Sequence, residues 1–242
     1  MQAHKRDLAN NNVNRTYSMK SILRFTRLSL TALVLSVFAI GSAQAINPTP
    51  SPTTDTMIIG DSVFALSGDI HRYLEQDLNK TIATYARSGC QMIGGNFICS
   101  RRNAIPQQYA NASKRGIKTV IFNGGGNDIQ LNSCAPSLSR CMTLLNDLET
   151  EIGRLVAQMR ADGIQNIIFL GYYNGTGDAA ALREINEFSM NRKAMTYPGM
   201  NIRFVDVRSA FNGNESRYLL SDGIHPTAAG SRVLATLIRQ AL

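Results

Sequence analysis

Ser62 is a candidate nucleophile, because it directly follows the buried-strand pattern of residues 57–59 and the pair Gly60-Asp61. A serine hydroxyl is a weak nucleophile at neutral pH. It needs a base, a group that orients the base, and donors for the oxyanion that forms. Gly-Asp-Ser is also a good sequence for an ordinary turn. The interpretation of Ser62 as a nucleophile therefore depends on whether other loops supply these partners.

His225 and Asp222 are the candidates for base and orienting acid. After residue 45 the chain has two histidines, and His71 lies in a predicted helix, where a solvent-facing position is the simpler interpretation. His225 follows Asp222 by three residues in a loop before the last predicted helix. Such a loop can bring the carboxylate to the imidazole, where it fixes the tautomer and stabilises the cation. A capping turn in which Asp222 makes the turn and Pro226 starts the helix is the alternative.

Two glycine-containing loops could supply oxyanion donors. Residues 124–126 are three glycines after a predicted strand, and Asn127 follows them with a side-chain amide. A flexible turn is the alternative, and a phosphate-binding loop is disfavoured because no Lys-Ser/Thr follows the glycines. Gly89 also follows a predicted strand and could offer a backbone N–H, although single glycines are common in loops.

The elements that must position these residues alternate between strands and helices. Strands are predicted at residues 56–60, 81–86, 118–123, 166–173 and 201–207, and helices at 67–79, 106–116, 138–163, 178–190 and 227–242. Short continuous apolar strands indicate burial on both faces, hence a parallel sheet between helices. The sequence thus predicts an α/β fold, a three-layer α/β/α sandwich with a five-stranded parallel sheet. Ligands of such sheets bind beyond the carboxyl ends of the strands, where Ser62 and Asn127 lie.

The first 45 residues are predicted to be a secretory signal peptide. Residues 19–45 have a basic start, an apolar stretch and a small-residue end, so cleavage is expected after Ala45 and translation from Met19. The apolar stretch is shorter than the ~20 residues that span a bilayer, so no stable membrane span is expected. Residues 46–55 are rich in Pro and Thr and predict a linker, and 56–242 predict one domain. The protein is therefore expected to be exported, to the periplasm or the medium.

The formal net charge of +8 arises mostly in this leader. Residues 1–45 hold six Lys/Arg and one Asp, which leaves 19 Lys/Arg against 16 Asp/Glu in the rest of the chain. Since no basic block stands out there, the sequence gives no electrostatic case for a nucleic-acid partner. The sequence also offers no close cluster of metal-binding side chains, and we expect neither a metal nor a cofactor. It leaves the oligomeric state open.

All four cysteines lie after the leader, at Cys90, Cys99, Cys134 and Cys141. An even number of cysteines in an exported chain indicates disulfides, and four cysteines permit three pairings. We expect the local pairing, Cys90–Cys99 and Cys134–Cys141, which closes two short loops. Free thiols in a reducing compartment are the alternative. The disulfides would stiffen the loops that line the pocket.

Taken in order, these stretches resemble the SGNH (GDSL-type) serine hydrolases. The family's first block corresponds to residues 60–63, with Val63 in place of leucine, its third block to residues 125–128, and its last to residues 222–225. Its second block corresponds to Gly89, although the asparagine often found ahead of that glycine is missing. The blocks span nearly the whole predicted domain, and the flavodoxin-like fold of the family agrees with the predicted strands.

This resemblance implies an esterase that cleaves carboxylic esters through an acyl-enzyme. Ser62 would be the nucleophile, His225 the general base and then acid, and Asp222 its orienting group. The backbone N–H groups of Ser62 and Gly89 and the side chain of Asn127 would form the oxyanion hole.

The substrate remains open within the family. Short acyl esters, lysophospholipids and O-acetyl groups on polysaccharide all fit. With 7% aromatic residues and no Trp, the chain has no obvious platform for stacking sugars, which favours a simple acyl ester. A non-catalytic module that binds a glycan or another ligand on the same fold is the alternative function.

Overall fold

A computed structural model describes residues 54–132, 134 and 137–242 of the chain. The predicted signal peptide, its start at Met19 and most of the predicted linker lie outside the described residues. Within the described part, no helix combines the length and the apolar character needed to cross a membrane.

Five parallel strands form the central sheet. They are β1 (Thr56–Ile59), β2 (Ala83–Thr84), β3 (Thr119–Phe122), β4 (Asn166–Leu170) and β5 (Arg203–Val205). Their order in the sheet is β2-β1-β3-β4-β5, and every pairing is parallel. This is the flavodoxin-like order, and the predicted α/β fold with a five-stranded parallel sheet is confirmed.

The strands are apolar on both faces because both faces are covered. In β1, Met57 and Ile59 belong to one hydrophobic core and Ile58 to another, since successive side chains point to opposite faces. The same alternation separates Val120 from Ile121 in the neighbouring strand. Each such side chain contributes roughly 1.5–3 kcal/mol by leaving water. This double burial specifies the three-layer arrangement.

Helices form the two outer layers. The helices are α1 (Ser62–Ala65), α2 (Asp69–Leu78), α3 (Ile105–Asn111), α4 (Gly126–Leu131), α5 (Leu138–Ala161), α6 (Arg183–Thr196), α7 (Arg208–Phe211), α8 (Glu215–Tyr218) and α9 (Ala228–Gln240). Short 3₁₀ helices lie at Arg101–Asn103, Gly177–Leu182 and Pro198–Met200. Helices α2 and α9 pack on the face of Ile58, whereas α3, α5 and α6 cover the opposite face.

Two short helices that the sequence analysis did not predict begin where the chemistry is expected. Helix α1 starts at Ser62 and α4 starts at Gly126, directly after β1 and after the loop of β3. The strand predicted at 166–173 ends at Leu170, and the helix predicted at 178–190 runs from Arg183 to Thr196. The chain between these two elements turns back over the carboxyl edge of the sheet.

Candidate active site

Ser62 is the first residue of α1, at the carboxyl end of β1. The turn before it requires glycine, because Gly60 has φ +148° and a Cβ there would lie 2.0 Å from Asn123 Oδ1. Asp61 caps the helix by accepting the Val63 N–H at 2.9 Å. The sharp turn and the cap together place the half-buried Ser62 side chain at the edge of the sheet.

Asp61 is held by a closed network of hydrogen bonds. Its N–H donates to Asn123 Oδ1 at 3.0 Å, and Asn123 Nδ2 donates back to the Asp61 carboxylate at 2.8 Å. The Tyr172 hydroxyl donates to the other carboxylate oxygen at 2.5 Å. Burial raises the pKa of Asp61, and the hydrogen bonds from Tyr172, Val63 and Asn123 oppose that rise. The network fixes the residue that precedes the candidate nucleophile.

Gln108 on α3 makes a second reciprocal pair with the same turn. The Gly60 N–H donates to Gln108 Oε1 at 2.8 Å, and Gln108 Nε2 donates to the Gly60 carbonyl at 3.0 Å. Gln108, Asn123 and Tyr172 are therefore positioning residues, and the sequence analysis missed all three. Asn123 ends a predicted strand beside the glycine loop, a signal that could have found it, whereas nothing in the sequence around Gln108 points to this role.

Gly89 lies on the loop after β2 with a backbone that only glycine accepts easily. Its φ is +73°, and a Cβ would lie 2.5 Å from Ile98 Cγ2. Asn96 Nδ2 donates to the Gly89 carbonyl at 2.8 Å and ties the two ends of the loop together. The loop therefore has one fixed conformation at the position where an oxyanion donor is expected.

Asn127 lies in the first turn of α4, and its side chain is oriented by the Gly89 loop. Asn127 Nδ2 donates one hydrogen to the Cys90 carbonyl at 2.9 Å. An amide nitrogen carries two hydrogens, so the second remains available to a ligand. The structure joins Cys90 to Cys99 in a disulfide, so the acceptor that orients Asn127 belongs to a cross-linked loop.

The second disulfide joins Cys134, which lies between α4 and α5, to Cys141. Both cysteines are buried, and Cys141 lies in the first turn of α5. With the two local pairs, all four cysteines are disulfide-bonded.

Asp128, next to Asn127, ties the two candidate oxyanion loops together. Its carboxylate accepts the Met92 and Ile93 N–H groups, each at 2.9 Å. Burial raises the pKa of Asp128 to about 6, although these two hydrogen bonds favour the charged form. Its ionisation is therefore coupled to the stability of the folded chain.

Replacing Asp128 with asparagine is expected to change how stability depends on pH. Because the folded pKa lies above the ordinary 3.8, this group stabilises the folded state fully below pH 3.8, and that contribution is lost as pH rises through about 6. The free energy of unfolding of the wild type, relative to Asp128→Asn, should fall by about 3 kcal/mol from about pH 4 to about pH 7. Urea unfolding across this range measures it. Asp147 is exposed, and the free energy of unfolding of the control Asp147→Asn should depend on pH as that of the wild type does. If Asp128→Asn showed the same pH dependence as the wild type, the raised pKa of Asp128 would be contradicted.

His225 and Asp222 form a hydrogen-bonded pair in the loop before α9. Asp222 Oδ2 and His225 Nδ1 are 2.7 Å apart, while Asp222 Oδ1 accepts the N–H groups of Ile224 and His225, each at 2.9 Å. Partial burial raises the pKa of Asp222, but these hydrogen bonds outweigh it, and the pKa lies below 3.8. Asp222 thus makes the turn and holds the imidazole at once.

The helix cap belongs to another residue. Thr227 is the N-cap of α9, and its hydroxyl accepts the Gly230 N–H at 3.1 Å. Asp222 is therefore not the cap of α9, and a capping role does not explain its contact with His225. His71, the other histidine after the leader, lies on α2 with Nε2 at 2.9 Å from the Ile82 carbonyl and 3.2 Å from Glu75 Oε1. These contacts fix the chain between α2 and β2.

A pocket with about 740 Å³ of open space lies beside Ser62 and Asn127. Most of its wall is apolar and includes Val63, Ile129, Leu182 and Ile224. The Tyr173 hydroxyl donates to the Ile224 carbonyl at 2.6 Å and so ties the segment after β4 to the loop of His225. The pocket brings together residues that follow β1, β3 and β4 with Ile224 from the loop of His225.

His225 reaches this edge from the opposite end of the chain. Burial raises the pKa of the Asp61 carboxyl, and His225 lies close enough to oppose that rise in part. The hydrogen bonds among the described residues include none from Ser62 Oγ. Contacts between a nucleophile and its base are often long without substrate and shorten in the complex.

The comparisons with known proteins agree with this architecture. The family model described as "GDSL-like Lipase/Acylhydrolase family" matches residues 58–233. A search of curated proteins found no match.

Solved structures with a similar fold include two hydrolases. The crystal structure of a lipase from a goat rumen metagenome has a TM-score of 0.59 and 16% identity, over 77% of this chain and 96% of that one. A catalytic mutant of the acetylxylan esterase Axe2 from Geobacillus stearothermophilus has a TM-score of 0.58 and 18% identity, over 79% and 94% of the two chains. At these identities the likeness establishes the shared fold.

Proposed function

The chain belongs to the GDSL-like lipase/acylhydrolase family of ester-bond hydrolases, and we propose that it is an exported serine esterase with a Ser62-His225-Asp222 triad. The substrate is a carboxylic ester, and the reaction passes through an acyl-enzyme on Ser62. One observation carries the proposal. Asp222 contacts Nδ1 of the His225 imidazole, and Ile224, the residue before His225, lines the same pocket as Ser62.

In the first step Ser62 Oγ attacks the carbonyl carbon of the ester. The proton of the hydroxyl moves to His225 Nε2, and the electron pair of the C=O bond moves to the carbonyl oxygen. Asp222 stabilises the imidazolium through Nδ1–H. The oxyanion is bound by the N–H groups of Ser62 and Gly89 and by the free hydrogen of Asn127 Nδ2.

Collapse of this intermediate releases the alcohol. The oxyanion reforms the C=O bond, the bond to the alcohol oxygen breaks, and His225 Nε2–H gives its proton to that oxygen. The acyl group remains on Ser62. A water molecule then repeats the sequence with His225 as base, which releases the carboxylic acid and restores the hydroxyl.

The hydrogen bond from Asn127 to the Cys90 carbonyl supports the oxyanion role. A donor stabilises a transition state best when it is oriented before the reaction, and one such donor is typically worth about 3–4 kcal/mol. The Asn127 amide is already oriented by a disulfide-closed loop, so its side chain needs to move little when the oxyanion forms. Two disulfides also support export, because such bonds persist in oxidising compartments.

A fluorophosphonate probe tests the proposal directly. The probe phosphonylates an activated serine, and we expect mass spectrometry to locate one label on Ser62. The Ser62→Ala variant should carry no label, and the neighbouring Ser67→Ala should be labelled like the wild type. Wild-type protein that stays unlabelled, or a label that survives in Ser62→Ala, would favour the alternative of a non-catalytic glycan- or ligand-binding module.

A further inference from the structure

Exposed apolar side chains are concentrated around the candidate active site. Nine large apolar side chains are exposed among the described residues. Three of them lie elsewhere: Met195 on α6, Met200 in the 3₁₀ helix after it, and Leu242. The other six, which we call the apolar rim, are Leu66, Ile93, Phe97, Ile98, Leu131 and Leu220. Large exposed apolar groups that cluster on one face of a protein mark an interaction surface.

Two members of the apolar rim lie one helical turn from a site residue. Leu66 follows Ser62 by four positions, and its N–H donates to the Ser62 carbonyl at 2.9 Å. Leu131 follows Asn127 by four positions on α4. Residues four apart share a helix face, so both apolar groups lie on the side of the site.

Others are joined to site loops by a backbone hydrogen bond or a direct contact. The Ile93 N–H donates to Asp128 at 2.9 Å, and the Leu220 N–H donates to the His225 carbonyl at 2.8 Å. Ile98 packs where a side chain at Gly89 would lie. The apolar rim therefore borders the active site on the Gly89, Asn127 and His225 sides.

Phe97 is the most exposed member and lies on a rigid loop. Its side chain is 91% exposed, at the tip of the loop that the Cys90–Cys99 disulfide closes. Asn96 Oδ1 accepts the N–H groups of Ile98 and Cys99 at 2.8 and 2.9 Å. Because the backbone on both sides is fixed, the loop presents its apolar tip permanently.

The charge beside the Phe97 loop of the apolar rim is positive. Arg101 and Arg102 follow the loop and are exposed, and the ion pairs among the described residues include neither of them. No acidic residue occurs between Cys90 and Asn103. Arg183 is exposed at the pocket itself. Exposed arginines beside an apolar tip are complementary to anionic lipid headgroups over acyl chains.

The pocket beside Ser62 is also largely apolar. Its apolar wall of Val63, Ile129 and Leu182 lies beside Ser62, so an acyl chain could pass from a lipid surface to the nucleophile with little contact with water.

We propose that the apolar rim docks on an anionic lipid surface and that the substrates are ester lipids drawn from that surface. This rests on the proposed esterase function for the substrate but not for the docking. The rim residues insert among the acyl chains, the arginines contact the headgroups, and the pocket takes one acyl chain of the lipid.

Vesicle flotation tests the docking. The protein should float with vesicles of mixed phosphatidylglycerol and phosphatidylcholine, and Phe97→Ser should bind them about tenfold more weakly because one buried aromatic side chain is lost. Met195→Ser removes an exposed apolar group on α6 and should float like the wild type. Ser62→Ala should float as well, so docking is measured apart from catalysis.

Other outcomes would overturn the docking proposal. They are wild-type protein that does not float, Phe97→Ser that floats equally well, and dimers seen by light scattering that Phe97→Ser dissociates without any vesicle binding. The last outcome would make the rim an interface between two copies of the chain.

A soluble ester lipid tests the substrate class. With a short-chain phosphatidylglycerol, the rate of acid release should rise about tenfold as the lipid passes its critical micelle concentration, and Phe97→Ser should lose most of that rise. If the fluorophosphonate labels Ser62 but acetylated xylan is the better substrate, the lipid proposal fails and the esterase proposal stands. A protein that floats but stays unlabelled would keep the docking proposal and overturn both the esterase proposal and the ester-lipid substrate.

Discussion

Replacing His225 with alanine is expected to lower kcat for an activated ester about 10⁶-fold, because members of a triad act as a unit and loss of the base disables the nucleophile. Without Nε2 no base removes the proton of the Ser62 hydroxyl, and no acid donates a proton to the departing alcohol. The residual rate should come from binding and from the oxyanion donors. Hydrolysis of p-nitrophenyl butyrate, measured at saturating substrate, tests this.

His71→Ala is the matched control for this experiment. His71 is the other histidine after the leader, and its contacts join α2 to the chain before β2. Its loss should leave kcat within about twofold and lower the unfolding temperature by a few degrees, as expected for about 1 kcal/mol in a domain of this size. A His225→Ala variant that keeps a tenth of the wild-type kcat would rule out His225 as the base.

The sequence predicted the sheet and the ends of its strands because these depend on local patterns. Continuous apolar runs such as residues 119–122 occur where both faces of a strand are buried, and the chemistry-bearing loops follow them directly. The resemblance to a known family assigned roles to Ser62, Asn127 and His225 at three of these loops. Neither source gave the distances among them, which depend on tertiary packing.

The positioning residues could not be predicted from the sequence for a physical reason. Gln108 contacts Gly60 across 48 positions of the sequence, and Tyr172 contacts Asp61 across 111. No local spacing or composition in the sequence indicates that these residues are partners. Burial raises the pKa of the Tyr172 phenol well above 10, so the hydroxyl keeps its proton and donates to Asp61. Such a role is visible only once two elements pack together.

The short helices α1 and α4 were missed because they are fixed by tertiary contacts. Helix α1 has four residues and is capped by Asp61, whose side chain is in turn held by Asn123 and Tyr172. Isolated helices of this length are unstable in water, so their sequences carry little helical signal. The site therefore depends on structure that forms only in the folded chain.

Asp222→Asn should lower kcat about 10⁴-fold while the loop stays folded. The asparagine keeps an Oδ1 that can accept the N–H groups of Ile224 and His225, as Asp222 Oδ1 does now. Its Nδ2 would face His225 Nδ1 as a donor, so Nδ1 must become the acceptor and the imidazole proton moves to Nε2. A protonated Nε2 cannot take the proton of Ser62, and the cation loses its carboxylate.

The pH dependence separates this role from a structural one. The pKa of Asp222 lies below 3.8, so the wild-type carboxylate stays ionised as the solution is acidified, and its contribution is lost only as pH falls through that lowered value. The kcat defect of Asp222→Asn relative to the wild type should therefore show no step that comes from this carboxylate above about pH 5, and the unfolding temperature should fall by no more than a few degrees. Asp147→Asn, on α5, should match the wild type in both measurements. If Asp222→Asn lost activity only in step with its unfolding temperature, Asp222 would hold the turn alone, and the imidazole would take its orientation from another contact.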